Sequence, residues 1–149
     1  MKRIIHPVAG GLALLTIAAF WVSTILSEIF GSAATIAVVK TTIPWGFLLL
    51  VPALAATGGS GFSLANGNRK GLVGKKARRM PFIAANGVLI LIPAALYLSH
   101  KASNGSFDTS FYTIQAVELV AGAANLFLLS LNMRDGLQLT KAKRKVSRA

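Results

Sequence analysis

Four stretches of the chain are almost continuously apolar, and the polar residues inside them recur at regular intervals. The stretches cover about residues 6–29, 43–63, 81–100 and 111–132. Each is near the roughly 20 residues that a helix needs to cross the hydrocarbon core of a bilayer. In the fourth, Gln115, Glu118, Gly122, Asn125, Leu129 and Asn132 are spaced by three and four. That spacing holds them on one face of a helix. His6, Ala9, Ala13, Thr16, Phe20, Ser23 and Ser27 do the same in the first stretch, and Asn86, Ile90, Pro93, Tyr97 and His100 in the third. Lipid cannot satisfy these polar groups, so the three faces are expected to turn inward. The pattern predicts an all-α fold, an integral-membrane four-helix bundle with short loops and a partly polar, left-handed axis.

The second stretch carries a different device. In "ALAATGGSG" (53–61) small residues crowd together, which suits a tight helix crossing. A phosphate loop is excluded there, because no Lys-Ser or Lys-Thr follows the required glycine. A locally unwound helix with free carbonyls is the alternative. Pro44 and Pro81 are expected to open the second and third helices, and Pro52 and Pro93 to kink them in mid-span. The reading is one four-helix domain over 1–137 and a basic tail over 138–149, which has little apolar character and is expected to fray. Gly136 is expected just past the last helix end, with Arg134 and Asp135 as a surface ion pair or stop signal.

Composition agrees with the pattern. Of 149 residues 54% are hydrophobic and 13% charged, and mean hydropathy is +0.62. A soluble domain carries about 25% charged residues. The net charge of +12 comes from 16 Lys and Arg against 4 Asp and Glu. These bases sit in three short segments: Lys2 and Arg3; Arg69, Lys70, Lys75, Lys76, Arg78 and Arg79; and Arg134, Lys141, Lys143, Arg144, Lys145 and Arg148. The two other loops hold only Lys40 and Lys101. Four spans put all three basic segments on one side, so both termini are expected in the cytoplasm. The charge is thus a matter of topology and anionic lipid, and no nucleic-acid partner is expected. The first span has a signal-peptide-like start and "GSA" at 31–33, but its apolar run exceeds the usual ~7–15 residues, so it reads as an uncleaved anchor. There is no cysteine, hence no disulfide, thiolate nucleophile or Cys-ligated metal.

Candidate chemistry is sparse. Glu118 lies about two turns in from the distal end of its helix. There a carboxyl is expected to be neutral or paired, and Ser23, at similar depth on the first span, is the expected partner. Glu118, Gln115, Tyr97, His100 and Ser23 are therefore the candidates for a ligand or proton site. Glu28 joins them only if it turns inward. No catalytic residue and no metal site is assigned, since neither HExxH, a helical carboxylate pair nor a Ser-His-Asp set is visible.

The four-helix architecture with two histidines loosely resembles cytochrome b561-type proteins, which implies haem b between paired histidines. His6 and His100 fall at opposite ends, roughly 25–30 Å apart. The haem candidates are therefore His6 with Met80, or two His6 residues across a dimer. The segments "HPVAGGLALLTIAAFWVSTILSE", "LVPALAATGGSGF" and "LNMRDGL" resemble a group of uncharacterised bacterial inner-membrane proteins, a likeness that brings no activity with it. The expected role is a small accessory subunit of the bacterial inner membrane. It would pack on partner membrane proteins or on itself, with a lipid or quinone-like ligand along its polar seam. A haem-binding or proton-handling redox protein is the alternative. An oligomeric small-solute transporter is third.

Overall fold

All four apolar stretches are helices, and each runs past its apolar core. The computed structural model describes residues 2–65 and 71–146, with side chains over 4–64 and 71–139. Helix α1 is Lys2–Phe30, α2 Ala33–Ala65, α3 Gly71–Asn86, α4 Ile92–Ser103 and α5 Thr109–Val146. A π-helical turn, Gly87–Leu91, joins α3 to α4 into one span. No strand occurs among the described residues. Four helical segments (Ile4–Phe30, Ala33–Leu64, Gly71–Ser103, Thr109–Leu139) are long and apolar enough to cross a membrane, as in a multi-pass membrane protein. At about 1.5 Å per residue each exceeds the ~30 Å hydrocarbon core. Arg69, Lys70 and Arg148, and the side chains of the other bases before His6 and after Leu139, lie outside what is described.

The extra length corrects four expectations, one of them Pro81, which lies inside α3 rather than at the start of its helix. Helix α2 begins at Ala33, not near Ile43, so Lys40 is a helical residue rather than a loop one. Pro44 is interior, and withholds the N–H that would bond the Lys40 carbonyl. Helix α5 runs on through Gly136 to Val146 where an end and a frayed tail were expected.

Neighbouring helices pack in a ring: α1 on α2 and α5, α2 on α1 and α4, and α5 on α1 and the α3–α4 span. Helices α2 and α5 thus stand at opposite corners. Ala13, Ile17, Leu50, Ala53, Ile83 and Leu129 fill the middle. Ile36, Leu98, Ala102 and Phe111 fill the end away from the basic segments, here the distal end. Two close approaches set the α1 contacts. A Cβ on Gly46 would collide with the Phe20 ring, and one on Gly122 would sit 2.9 Å from Trp21 Cδ1. The small-residue stretch of α2 stays helical throughout; Gly61 receives the His6 ring and Thr57 faces Gly10.

The expected face of α5 is inward and that of α1 in part: Ala9, Ala13 and Ser27 are buried, and His6, Thr16, Phe20 and Ser23 half-buried. On α5, Gln115, Gly122, Asn125, Leu129 and Asn132 are buried, and Glu118 nearly so. The third face is not. Ile90, Pro93, Tyr97 and His100 are exposed, while Ala94, Ala95, Leu98 and Ala102 are buried. The π-turn explains the one-residue offset. Pro93 has no N–H for the Leu89 carbonyl and its ring crowds that oxygen. A turn with i→i+5 bonding widens the helix and takes up one extra residue. The inward set therefore falls one place later than uniform 3.6-residue spacing predicts.

Candidate functional site

The polar interior resolves into three levels. At the distal level Lys40 of α2 reaches across the bundle to Glu118 of α5, with Nζ 2.5 Å from Oε2. It also donates to Thr24 Oγ1 of α1 at 3.4 Å. Lys40 is 1% exposed and Glu118 12%, so protein rather than lipid covers the pair. Only a long side chain can join these two helices, because among the described residues their backbones do not approach each other. The buried Thr24 is held by the same packing, and its carbonyl accepts from Ser27 Oγ at 2.9 Å. Trp21 donates Nε1–H to the Leu119 carbonyl at 2.9 Å, which fixes α1 against α5 one turn deeper.

At the middle level Asn86 donates to Asn125 Oδ1 and to the Ala121 carbonyl, both at 2.8 Å. Asn125 is buried and donates to the Ile83 carbonyl at 3.4 Å. These amides tie α3 to α5, the packing role that such groups play in membranes.

At the basic end His6 Nδ1 lies 3.0 Å from the Thr57 carbonyl and 3.2 Å from Ser60 Oγ. A carbonyl only accepts, so Nδ1 carries the proton and Nε2 offers its lone pair. Lys76 donates to that Nε2 at 3.3 Å. Beside it Arg79 of α3 pairs with the buried Asp135 of α5 at 2.7 Å and donates to Asn132 Oδ1 at 3.4 Å. Asp135 is thus no surface residue: Arg134, the expected partner, is exposed and lies 3.8 Å away. Asn132 donates to Met80 Sδ at 3.4 Å. The two haem candidates are therefore each engaged, His6 through both ring nitrogens and Met80 through its sulfur. Among the described residues no group of three His, Cys, Asp or Glu side chains could hold a metal.

Of the expected distal set, Glu118 and Gln115 are inside and the rest are not. Ser23 donates to its own helix, to the Phe20 carbonyl at 3.0 Å, so the partner of Glu118 is Lys40 instead. Tyr97 is exposed and its Oη is 3.0 Å from Ser110 Oγ. His100 is exposed beside Asn104. Both stand on the exposed side of α4, whose last turn carries Lys101, paired at 2.5 Å with Asp108 of the α4–α5 loop. Asp108 also accepts from Ser110 Oγ at 2.6 Å and from the Phe111 N–H at 3.0 Å, capping α5. The Lys101 hydrogen bond first, then those from Ser110 and Phe111, hold the Asp108 carboxyl well below the usual carboxylate range.

Sequence spacing missed Lys40, Thr24, Lys76, Arg79 and Asp135 as interior groups. A signal for Lys40 was present: seven apolar or small residues, Ala33–Val39, precede it, which makes it a lone charge inside an apolar run. Compared with protein-family profiles, curated proteins and solved structures, the chain matches none.

Proposed function

We propose that this chain is a small, non-enzymatic accessory subunit of a bacterial inner membrane, with both termini cytoplasmic. It packs against partner membrane proteins or a second copy of itself. The observation that carries this reading is where the polar side chains go. Lys40–Glu118–Thr24, Asn86–Asn125, His6–Thr57 and Arg79–Asp135 all bond helix to helix. Large apolar side chains such as Leu15, Phe30, Trp45, Phe62, Val120 and Phe127 face outward. A body fastened from within and apolar without is suited to offer its surface to lipid and to other helices. The bases of α3 and α5 support the cytoplasmic placement and attract anionic headgroups. Light scattering on the gently solubilised protein tests the reading. The expected protein mass is at least twice the 15.6 kDa of one chain, as copies or with a stoichiometric partner. A lone monomer at every detergent concentration overturns it.

The Lys40–Glu118 pair favours a second reading, proton handling at the distal end. An acid inside a membrane protein is a functional hypothesis by default. On that reading Glu118→Gln abolishes function in cells while leaving the fold intact.

A further inference from the structure

Near the Lys40–Glu118 pair, two buried side-chain oxygens have no hydrogen-bond donor among the described residues. Helices α1 and α5 pack side by side and run antiparallel. Trp21 seats on Gly122 and bonds Leu119, and one turn on, Thr24 and Glu118 share the Lys40 ammonium. The next turn outward brings Glu28 of α1 level with Gln115 of α5, since each follows at helical spacing on the same face. Each has a buried oxygen that no donor among the described residues reaches, Glu28 Oε1 and Gln115 Oε1. Gln115 is 3% exposed, so bulk water does not serve it. Glu28 is half-buried and has one carboxyl oxygen withdrawn from the surface.

The surroundings define what fits. The formal charge of Lys40, Glu118 and Glu28 together is −1. One turn further out, Phe111 and Ile36 belong to the apolar cluster with Leu98 and Ala102, which closes the distal side. A guest here is small, carries positive charge and accepts oxygen ligands. Glu28 and Gln115 supply two oxygens, and the Thr24 and Ser27 hydroxyl oxygens lie on the same face of α1. A divalent metal is not suited, because the Lys40 ammonium offsets one of the two carboxylates and leaves a single negative charge to meet it. We propose that Glu28 and Gln115, with the Lys40–Glu118 pair as the floor, form a binding site for a small monovalent cation. The inference stands apart from the packing reading above: a cation can lock the distal end of a monomer or of an assembly.

Thermal unfolding of the purified full chain in detergent tests it, at one chloride concentration with sodium, potassium, ammonium or choline as the cation. Choline is too bulky for an enclosed site. At least one small cation should raise the midpoint saturably over choline. At about ten times its Kd that cation should lower the unfolding constant about tenfold. Glu28→Gln and Gln115→Leu should each remove the increment, while Asp108→Asn, in the exposed loop, should keep it. Equal midpoints in all four salts overturn the proposal, and that is what an ordered water in place of a cation gives. An increment that survives in both site variants also overturns it. The salt comparison on the unaltered chain stands even if a variant fails to fold.

Discussion

Lys40 and Glu118 show how one residue's environment sets the direction of a mutational effect. Both charges lie inside protein, and separating a buried pair leaves the other charge uncompensated at about 3–5 kcal/mol. Replacing both with apolar groups removes the desolvation penalty along with the attraction, and is often close to neutral. Lys40→Met and Glu118→Leu should each destabilise by about 3–5 kcal/mol, and the double variant by less than about 2 kcal/mol. Glu118→Gln should cost less than Glu118→Leu, because the amide oxygen still accepts from Lys40. Reversible unfolding in mixed detergent measures all four, and simple addition of the single costs in the double variant would refute the pairing. The loop acid behaves differently because it is exposed. The folded carboxyl of Asp108 is held below its ordinary value, chiefly by Lys101. A depressed carboxylate contributes stability that is full above about pH 4 and declines as pH falls further toward the folded value. The gap in melting temperature between the unaltered chain and Asp108→Asn should therefore be small near neutrality, as solvent screening demands. It should narrow progressively as pH falls below about 4. A gap that widens on acidification would contradict the assigned partners.

At the scale of elements the α3–α4 span is the informative one. Helices α1 and α5 were legible because they are uniform: a three-and-four spacing read along Gln115–Asn132 keeps its phase to the end. The third span loses phase at Gly87–Leu91, so Asn86 was placed correctly and Tyr97 and His100 were not. Pro93 announced a disturbance, but a proline can kink a helix or widen it, and composition does not say which. Lys40 was lost for a related reason. Pro44 looked like a first-turn proline, which put the start of α2 nearly three turns too late. A π-turn behaves as one residue inserted into an α-helix. Deleting Val88, which is exposed and lies in the turn, should restore regular α-helix and leave Ala94 and Leu98 inward. Deleting Ala123, exposed on α5, should rotate everything beyond it by about 100° and turn Asn125, Leu129 and Asn132 off the axis. The expected result is a native-like melting transition for the first deletion and none for the second. Equal damage from both would show that the turn is not a tolerated insertion.

For the molecule as a whole, charge along the chain gives an expectation of which side each end faces, while the ring order of helices and the cross-bundle pair had to come from three dimensions. Local spacing says which face of a helix is polar; it does not say which of three other helices that face meets. Lys40 reaches the opposite corner only because the ring puts α2 and α5 there, and no period within either helix encodes that. The membrane side is a separate question, set by the bases. Lys75, Arg78 and Arg134 are exposed at one end, whereas at the distal turns Lys101 of α4 is paired with Asp108. Positive segments resist transfer, so the basic end should stay in the cytoplasm. The chain has no cysteine, so single substitutions report position without background. Ser32→Cys and Asn104→Cys, at the exposed distal turns, should react with an impermeant maleimide in intact spheroplasts. Lys75→Cys and Arg134→Cys should react only after permeabilisation. The reverse labelling would invert the protein and move the Lys40–Glu118 level, with the two buried oxygens near it, to the cytoplasmic half. A mixed pattern for one end would mean that fewer than four helices cross, since an even number of crossings is what keeps both basic termini together.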